Sequence, residues 1–550
     1  MKLIFIGADH EVTGSCHFLS LDHPVYGSKP VYMLVDCGME QGPDYFENKP
    51  LPVKAQDIRY VFLTHAHVDH SGMLPKLYRD GFRGTVLTTS ATKDLSEIML
   101  RDAAHIQAAD AEYAKKKKGN SPSADTEPAF TMEDAEGLIR LIESYRYDKT
   151  YDLEEGIRFR FTDVGHLLGS ASVEIWLQEK DPETGAKYER KLVFSGDIGN
   201  RDQPILRDPQ RTKDADYVIM ESTYGDRLHE KEGEGHDYVT DLARIIRRTL
   251  LRGGNLVIPS FAVGRTQVML YFIRQIKRDG LVPEIPDFPV YVDSPMAVDA
   301  TSVFNENDRE CYDEDAQKLL DEGINPLVFP RLYLSITQEE SKAINTDDEP
   351  KVIISASGMC DAGRIRHHLK YNLWRKESTI LFVGYQTVGS LGRRLLDGAD
   401  TVRMFGVDID VKAEILKLPG LSGHADRNGL LWWLEGFEEK PGHVFVVHGD
   451  SEAAESFTAL LREKGYQADA PYSGTAVDLI RDTFLLKTEG IPIRKKIAQN
   501  TESDAYRKLR NTAKLLEQQI AESRGLPNKE LERFAEELDK LMKKYRIENE

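Results

Sequence analysis

Three histidines and an aspartate crowd into six residues, His65-Ala66-His67-Val68-Asp69-His70, directly behind the apolar run Tyr60-Val61-Phe62-Leu63 and Thr64. A buried strand that ends in a short loop brings four potential metal ligands together. His65 and His67, two apart, turn toward one cation. Asp69 and His70 then present oxygen and nitrogen to a second. Neutral imidazole and carboxylate are ligands that suit zinc or manganese. The alternative, a polar strand-end loop with satisfied histidines, does not account for so dense a set of ligand types. One loop does not complete two metal spheres, so further ligands belong at other strand ends. His166 lies in Asp163-Val164-Gly165-His166-Leu167-Leu168-Gly169-Ser170, where glycines permit close backbone approach. Asp197 follows a strand in Phe194-Ser195-Gly196-Asp197, placed to bridge two cations, and His448 follows Val444–Val447. Asp36, ending Leu34-Val35-Asp36, suits a carboxylate that orients a ligating histidine. Each alone also reads as a turn former beside glycine; together they read as the remainder of a metal site.

The elements that must position these residues belong to a chain of 550 residues, long enough for two or three domains with sizeable cores. A hydrophobic content of 40% with 30% charged residues is that of a soluble protein. No apolar stretch approaches membrane-spanning length, and Met1–Gly7 reads as a first strand rather than a signal-peptide core. Cys16, Cys37, Cys311 and Cys360 are scattered, as free thiols in a reducing compartment are, so a cytoplasmic location is expected. The net charge of −19 opposes encounter with an anionic polymer. Binding of nucleic acid would require a local basic groove and the metal ions themselves.

Up to about residue 225 short apolar strands alternate with turns and a few helices: Leu3–Ile6, Val31–Val35, Tyr60–Leu63, Thr85–Thr88, Leu192–Phe194 and Tyr217–Met220. A helix is expected over 97–118, ending in the solvated run Lys115–Lys118 and broken by Gly119-Asn120-Ser121-Pro122. From about 227 to 405 strands alternate with helices, the pattern of a parallel α/β sheet: Asn255–Pro259 into Thr266–Lys277, Lys351–Ala356 into Arg364–Tyr371, and Thr379–Val383 into Leu391–Leu396. Residues 411–485 return to the first pattern, so the middle segment reads as an insertion. Residues 502–547 read as two amphipathic helices broken at Gly525-Leu526-Pro527-Asn528 and bracing the core.

In order, Asp36, His65-x-His67-x-Asp69-His70, His166 and Asp197 resemble the four motifs of the metallo-β-lactamase fold. Glu221-Ser222-Thr223-Tyr224, Leu421-Ser422-Gly423-His424-Ala425-Asp426 and Val447-His448-Gly449 resemble motifs A, B and C of the β-CASP nucleases, as do the stretches Pro259–Gln267 and Ser355–Arg364. The similarity covers roughly residues 1–485, and is strongest to bacterial and archaeal relatives of the endonuclease subunit of the eukaryotic mRNA 3′-end cleavage factor. Asp450 stands where many relatives carry Glu. The resemblance implies an α/β fold: a metallo-β-lactamase αββα sandwich built from residues 1–226 and 406–490, with an inserted parallel α/β β-CASP domain at 227–405; the 491–550 extension lies outside the resemblance, and its helical hairpin is read from its apolar periodicity alone.

What the family does then sets the expected chemistry, hydrolysis of phosphodiester bonds in single-stranded RNA by two zinc ions, with manganese as an alternative. His65, His67 and His166 would hold the first ion and Asp69, His70 and His448 the second, with Asp197 bridging and Asp36 behind. Two such cations clamp the attacking and leaving oxygens of an in-line displacement. Asp69 is also a candidate to orient the nucleophile, and His424 beside Glu221 is the candidate general acid. Ser260, Arg265, Ser357, Gly358 and Arg364 begin helices after strands, where phosphates are received; helix-end salt bridging is the alternative for the two arginines. His448 favours RNA over DNA, because RNA-processing members of the family carry His in motif C. A single-stranded DNA nuclease of the same fold, and a small-molecule thioester or lactam hydrolase, remain the competing expectations. Endonuclease and 5′→3′ exonuclease action both stay open, as does a homodimer.

Overall fold

The computed structural model describes residues 1–25, 29–42, 45–118, 127–229, 237–418, 420, 422–493 and 504–544. The expected break at Gly119–Pro122, Leu421 of the motif B stretch, and the ends of the 502–547 segment lie outside the described residues. Met1–Ile491 forms one compact unit and Pro492–Glu550 a second. Within the second, helices Asp504–Glu522 and Asn528–Lys544 are joined by a short turn at Ser523–Gly525, as the Gly-Leu-Pro-Asn break implies.

Side-chain alternation builds the larger unit. In Val31–Val35, Val31, Met33 and Val35 enter one core while Leu34 enters another. In Tyr217–Glu221, Tyr217 and Ile219 share that first core, and Val218 and Met220 face a third. Strands apolar on both faces must lie between other layers. An eight-stranded and a seven-stranded sheet meet across the shared core, where Phe62 and Phe159 lie 5.5 Å apart and Phe5 and Phe445 5.0 Å apart between ring centroids. Helices Leu74–Arg79 and Met132–Ile139 cover one outer face, and Arg427–Leu434 and Ser451–Glu463 the other. This is the αββα sandwich that the resemblance implies. Parallel pairing aligns the strand ends that matter: Val35 with Phe62 in one sheet, and Phe194 with Ile219 and Ile219 with Phe445 in the other. The loops after these strands therefore emerge along one edge.

The middle of the chain forms a six-stranded, wholly parallel sheet, as expected, in the order Leu332–Ser335, Val290–Asp293, Val352–Ser355, Leu256–Pro259, Thr379–Phe382 and Glu414–Lys417. The last strand corrects the reading that closed the insertion at residue 405. Glu414–Lys417 pairs with Thr379–Phe382, so the sheet runs on to Lys417. A hairpin of Thr401–Met404 and Val407–Asp410 straddles the expected boundary. Its turn residues, Phe405 and Gly406, have φ of 51° and 79°, the positive-φ pair of a type I′ turn. A second correction concerns the long helix, which spans Ser90–Lys118 rather than starting at 97. Strand Thr85–Thr89 runs straight into it, and Thr89 and Thr92 donate their hydroxyls to the Gly169 carbonyl.

The insertion buries one charge network at the end of Val290–Asp293. The fully buried Asp293 carboxylate receives Arg364 Nη1 at 2.7 Å, Ser341 Oγ at 2.6 Å and lies 2.6 Å from His368 Nε2. Burial pushes this carboxyl up, but His368, Ser341 and Arg364 together hold it down at about 2. The folded pKa lies below the unfolded value near 3.9, so the contribution is complete above that pH and lost as pH falls toward 2. Asp293→Ala strips the Arg364 guanidinium, Ser341 and His368 of their shared buried partner. It is expected to lower stability by about 3–5 kcal/mol in a urea titration near neutral pH, with the deficit shrinking toward pH 2. An unchanged midpoint would remove the network from this role.

Candidate metal centre

The 64–70 loop is held by its neighbours before any ligand is considered. Asp36, at φ 59°, accepts hydrogen bonds from Thr64 N at 2.8 Å and Thr64 Oγ1 at 2.9 Å. Cys37 N donates to the His70 carbonyl, and Ser15 N to that of Asp69, each at 2.8 Å. Gly38 lies so close to this loop that a Cβ would collide with the Asp69 carbonyl, so only glycine fits there. The later loops are tied similarly. Ala425 N donates to Ile198 O at 2.7 Å, and Ser222 N to His448 O at 3.1 Å. A Cβ at Gly449 would strike Ser222. Asp450, the departure noted in motif C, caps helix Ser451–Glu463 by accepting from Ala453 N at 2.9 Å.

Two groups of ligand atoms converge. In the first, His67 Nδ1 lies 3.1 Å from His65 Nε2 and 3.2 Å from His166 Nε2, and Asp197 Oδ2 is 3.4 Å from each of the latter two nitrogens. In the second, His70 Nε2 and His448 Nε2 are 3.0 Å apart, with Asp69 Oδ2 3.7 Å from His448 Nε2. Asp197 Oδ1 stands 3.2 Å from His70 Nε2 and 3.6 Å from His448 Nε2. The far sides of the rings fix which nitrogen carries the proton. His166 Nδ1 donates to the Gly423 carbonyl at 3.1 Å, His70 Nδ1 to Asp36 Oδ2 at 2.7 Å, and His448 Nδ1 to Thr223 Oγ1 at 3.2 Å. The Nε2 atoms of these three rings therefore face inward.

Such an interior is electrostatically incomplete. Burial depresses the pKa of His65, brings that of His67 down to about 3, and drives that of His166 well below its ordinary value, so these rings are neutral and point lone pairs at one another. Burial resists charge on Asp197, yet the facing His448, His70, His65 and His424 hold its carboxyl far below the usual range. Its buried Oδ1 has no hydrogen bond. His70 is the exception: Asp197 and Asp36 outweigh burial and raise its pKa, marking where positive charge is demanded. Inward lone pairs, a carboxylate oxygen without a donor and an all-imidazole-and-carboxylate donor set fit a divalent cation.

Beside these groups, His424 Nδ1 sits 3.2 Å from Glu221 Oε2 and 3.9 Å from Asp197 Oδ2. Glu221 is itself held by Ile198 N at 2.5 Å and Thr223 N at 3.3 Å. Burial pulls the His424 pKa down, but Glu221 and Asp197 prevail and raise it to about 9. The His424 side chain is 22% exposed against 3% for His448, so it reaches solvent from the rim.

The residues expected to contact RNA divide. Ser357 is half-buried just beyond Val352–Ser355, its hydroxyl donating to Ala362 O at 3.3 Å, and the buried Gly358 lies beside Phe261. Arg265, half-buried, begins helix Arg265–Arg278, its pKa drawn down to about 10 by burial. Ser260 is buried and bonds internally to Phe261 O and Thr266 Oγ1, not at the surface as expected. Arg364 is a correction. Its guanidinium turns inward to Asp293, Ser335 O and Ile336 O, the salt-bridging alternative, because a buried carboxylate outcompetes solvent for it. Sequence reading passed over Phe261 and Tyr385, exposed by 47% and 57%, the first packed between Gly358 and Gly384 and the second within reach of Tyr224. Aromatic residues beside glycines in strand-end loops were the available signal. It also passed over His17, buried beneath the centre with a pKa lowered to about 4 by burial; nothing in its strand sequence marks it.

Comparison with known proteins was informative along most of the chain. Residues 31–82 match the metallo-beta-lactamase superfamily, 266–395 the Beta-Casp domain, and 408–471 the Zn-dependent metallo-hydrolase RNA specificity domain. Ribonuclease TTHA0252 of Thermus thermophilus is 36% identical over 478 residues, covering 87% of this chain and 100% of the relative. Transcription termination factor FttA of Methanosarcina mazei is 29% identical over 482 residues, 84% of this chain and 69% of that one. The FttA of Methanocaldococcus jannaschii is 29% identical over 480 residues with the same coverage.

Asp36→Asn keeps the side-chain shape but removes the charge that orients His70. It is expected to weaken binding of zinc by about 10–100-fold, read by equilibrium dialysis and elemental analysis, with the circular dichroism spectrum unchanged. Full zinc retention would separate Asp36 from the centre.

Proposed function

The chain belongs to the β-CASP family of metallo-β-lactamase-fold ribonucleases, and from that membership we propose that it hydrolyses single-stranded RNA at a centre holding two divalent cations. It is a metal-dependent RNA-processing nuclease. The observation that supports the two-cation reading is Asp197, whose two oxygens each face a separate group of inward-pointing imidazole nitrogens. His65, His67 and His166 would hold one ion and Asp69, His70 and His448 the other. Zinc is the cation proposed, and manganese suits the same donors. Cations held there supply Lewis acidity toward a phosphoryl oxygen and bring the pKa of water toward neutrality.

The remaining work falls to the protein. His424 uses Nδ1 on Glu221, which leaves the Nε2 proton for the departing alkoxide. Glu221 keeps that ring charged and aimed, and its own backbone donors hold the carboxylate in place. Asp69, at the edge of the second group, is positioned to orient the attacking oxygen. Ser357, Gly358 and Arg265 stand where the inserted sheet ends and are proposed to receive phosphates, with the rings of Phe261 and Tyr385 beside them for bases. The lactam and thioester alternatives leave His424 and the inserted sheet without a task. Among the described residues no helix is long and apolar enough to cross a membrane, and all four cysteines are free, which supports a cytoplasmic location. Self-association through the 504–544 helices is proposed on the exposure of Leu509, Leu515 and Leu541.

Gel analysis of 5′-labelled single-stranded RNA tests the reading. Wild-type protein is expected to cleave RNA in preference to matched DNA, chelation to abolish cleavage, and His424→Ala to slow it by about 10²–10⁴-fold. Internal fragments would indicate endonuclease action and released 5′ mononucleotide the exonuclease mode. Intact RNA with both zinc and manganese supplied would overturn the proposal.

A further inference from the structure

Although the chain has a net charge of −19, the stretch between Asp361 and Glu377 holds Arg364, Arg366, Lys370, Arg375 and Lys376 and no Asp or Glu. It forms helix Ile365–Asn372 and the turn that follows. Ile365, His368, Leu369 and Asn372 are buried on the side facing the inserted sheet, which leaves His367, Lys370 and Tyr371 facing out. Arg364 is engaged by Asp293, and Arg375 donates to Gly253 O at 3.2 Å. Arg366, Lys370 and Lys376 form no ion pair among the described residues, and the Arg366 Nε has no hydrogen bond.

Aromatic surface lies among these cations. The type I′ turn of the 401–410 hairpin sets Phe405 over the helix, 4.8 Å from the Arg366 guanidinium and 5.7 Å from the Lys370 ammonium, with the His367 ring stacked on it at 4.7 Å. Phe405, Tyr371 and Trp374 are 44%, 46% and 56% exposed. Of the carboxylates on the hairpin, Asp410 is taken by Lys412 at 3.2 Å. Burial first, then the neighbouring His368, Lys370 and Arg366, push the His367 pKa down, with Asp293 opposing them. Cations without carboxylate partners, interleaved with exposed rings, match the two things a single strand presents, phosphate charge and flat bases. An acidic polypeptide would satisfy the cations and leave the rings bare.

We propose that the outer face of helix Ile365–Asn372, with Phe405, Tyr371 and Trp374, is a second contact surface for single-stranded RNA, holding the part of the strand that lies outside the metal cleft. The surface rests on the ribonuclease reading, and it connects to the cleft directly. The helix starts from the loop that carries Ser357 and Gly358, and its rise of about 10 Å brings the chain to Asn372, two residues before Trp374.

Fluorescence anisotropy of the full chain in chelator, with labelled oligouridines of about 6 and about 24 nucleotides, reads both surfaces, since site sizes of this kind span about 4–16 nucleotides. For the longer strand, Trp374→Ala is expected to raise Kd roughly tenfold. The double variant Lys370→Ala/Lys376→Ala should reduce the slope of log K against log salt by about 1.4, or about 0.7 for each cation removed. Binding of the short strand, and its cleavage once metal is restored, should stay unchanged. Unaltered Kd and slope for the long strand overturn the proposal, as does an equal loss for both lengths. Displacement of the RNA by polyglutamate equally well from wild type and Trp374→Ala also overturns it, in favour of a protein-docking surface. A wild-type chain that shows the expected binding differences yet cleaves neither strand supports this surface while removing the ribonuclease reading.

Discussion

Asp36 carries the geometry of the centre on three hydrogen bonds. Its carboxylate joins the end of one strand to the beginning of the ligand loop through Thr64, and through His70 it reaches the second group of ligand atoms. Because Val35 and Phe62 are paired neighbours in the sheet, these bonds form without adjusting the strands. The left-handed backbone at Asp36 is what turns the carboxylate back over the strand end. A conformation that is unfavourable for a non-glycine residue persists here because its three partners over-determine it.

The remainder of the centre follows from crowding groups of like polarity. Imidazole lone pairs 3.0 to 3.2 Å apart repel unless a cation lies among them. Packing elsewhere must hold them there, and the glycines at 38 and 449 do this by letting backbone touch backbone or side chain where any Cβ would intrude. Parallel pairing of Phe194, Ile219 and Phe445 then brings Asp197, Glu221 and His448 to the same edge from positions far apart in the chain. Precision is thus borrowed from sheet register, and the loops themselves are short.

The legible part of the site was the part written locally. Four ligands in six residues, and single His or Asp residues after apolar runs beside glycine, announced themselves because strand-end loops of a parallel arrangement converge. Arg364 was misread because its fate is set by Asp293, a residue 71 positions earlier that only the tertiary structure brings to it. Ser260 was misplaced for a related reason, since one residue of register decides whether a strand-end hydroxyl faces in or out. His17 was silent because an apolar strand conceals it, and Thr223, though quoted within motif A, gave no sign that its hydroxyl meets both Nδ1 and the carbonyl of His448. The boundary at 405 failed because Glu414–Lys417 is only four residues long, two of them charged, and it is recognisable as a strand only by its partner.

The strand His443–Val447 lies between Tyr217–Glu221 and Ala468–Asp469, and the whole inserted sheet intervenes in the chain between it and its earlier neighbour. The entropy of closing so long a loop is small once the insertion has folded, since it grows only logarithmically with length. Order of synthesis is a different matter. Domains form as they leave the ribosome, and a chain still short of residue 443 has the first group of ligand atoms without His448 or the strand that delivers it. A nascent molecule, threaded beside the very polymer it is built to cut, is therefore chemically blunt until more than four-fifths of its length has emerged.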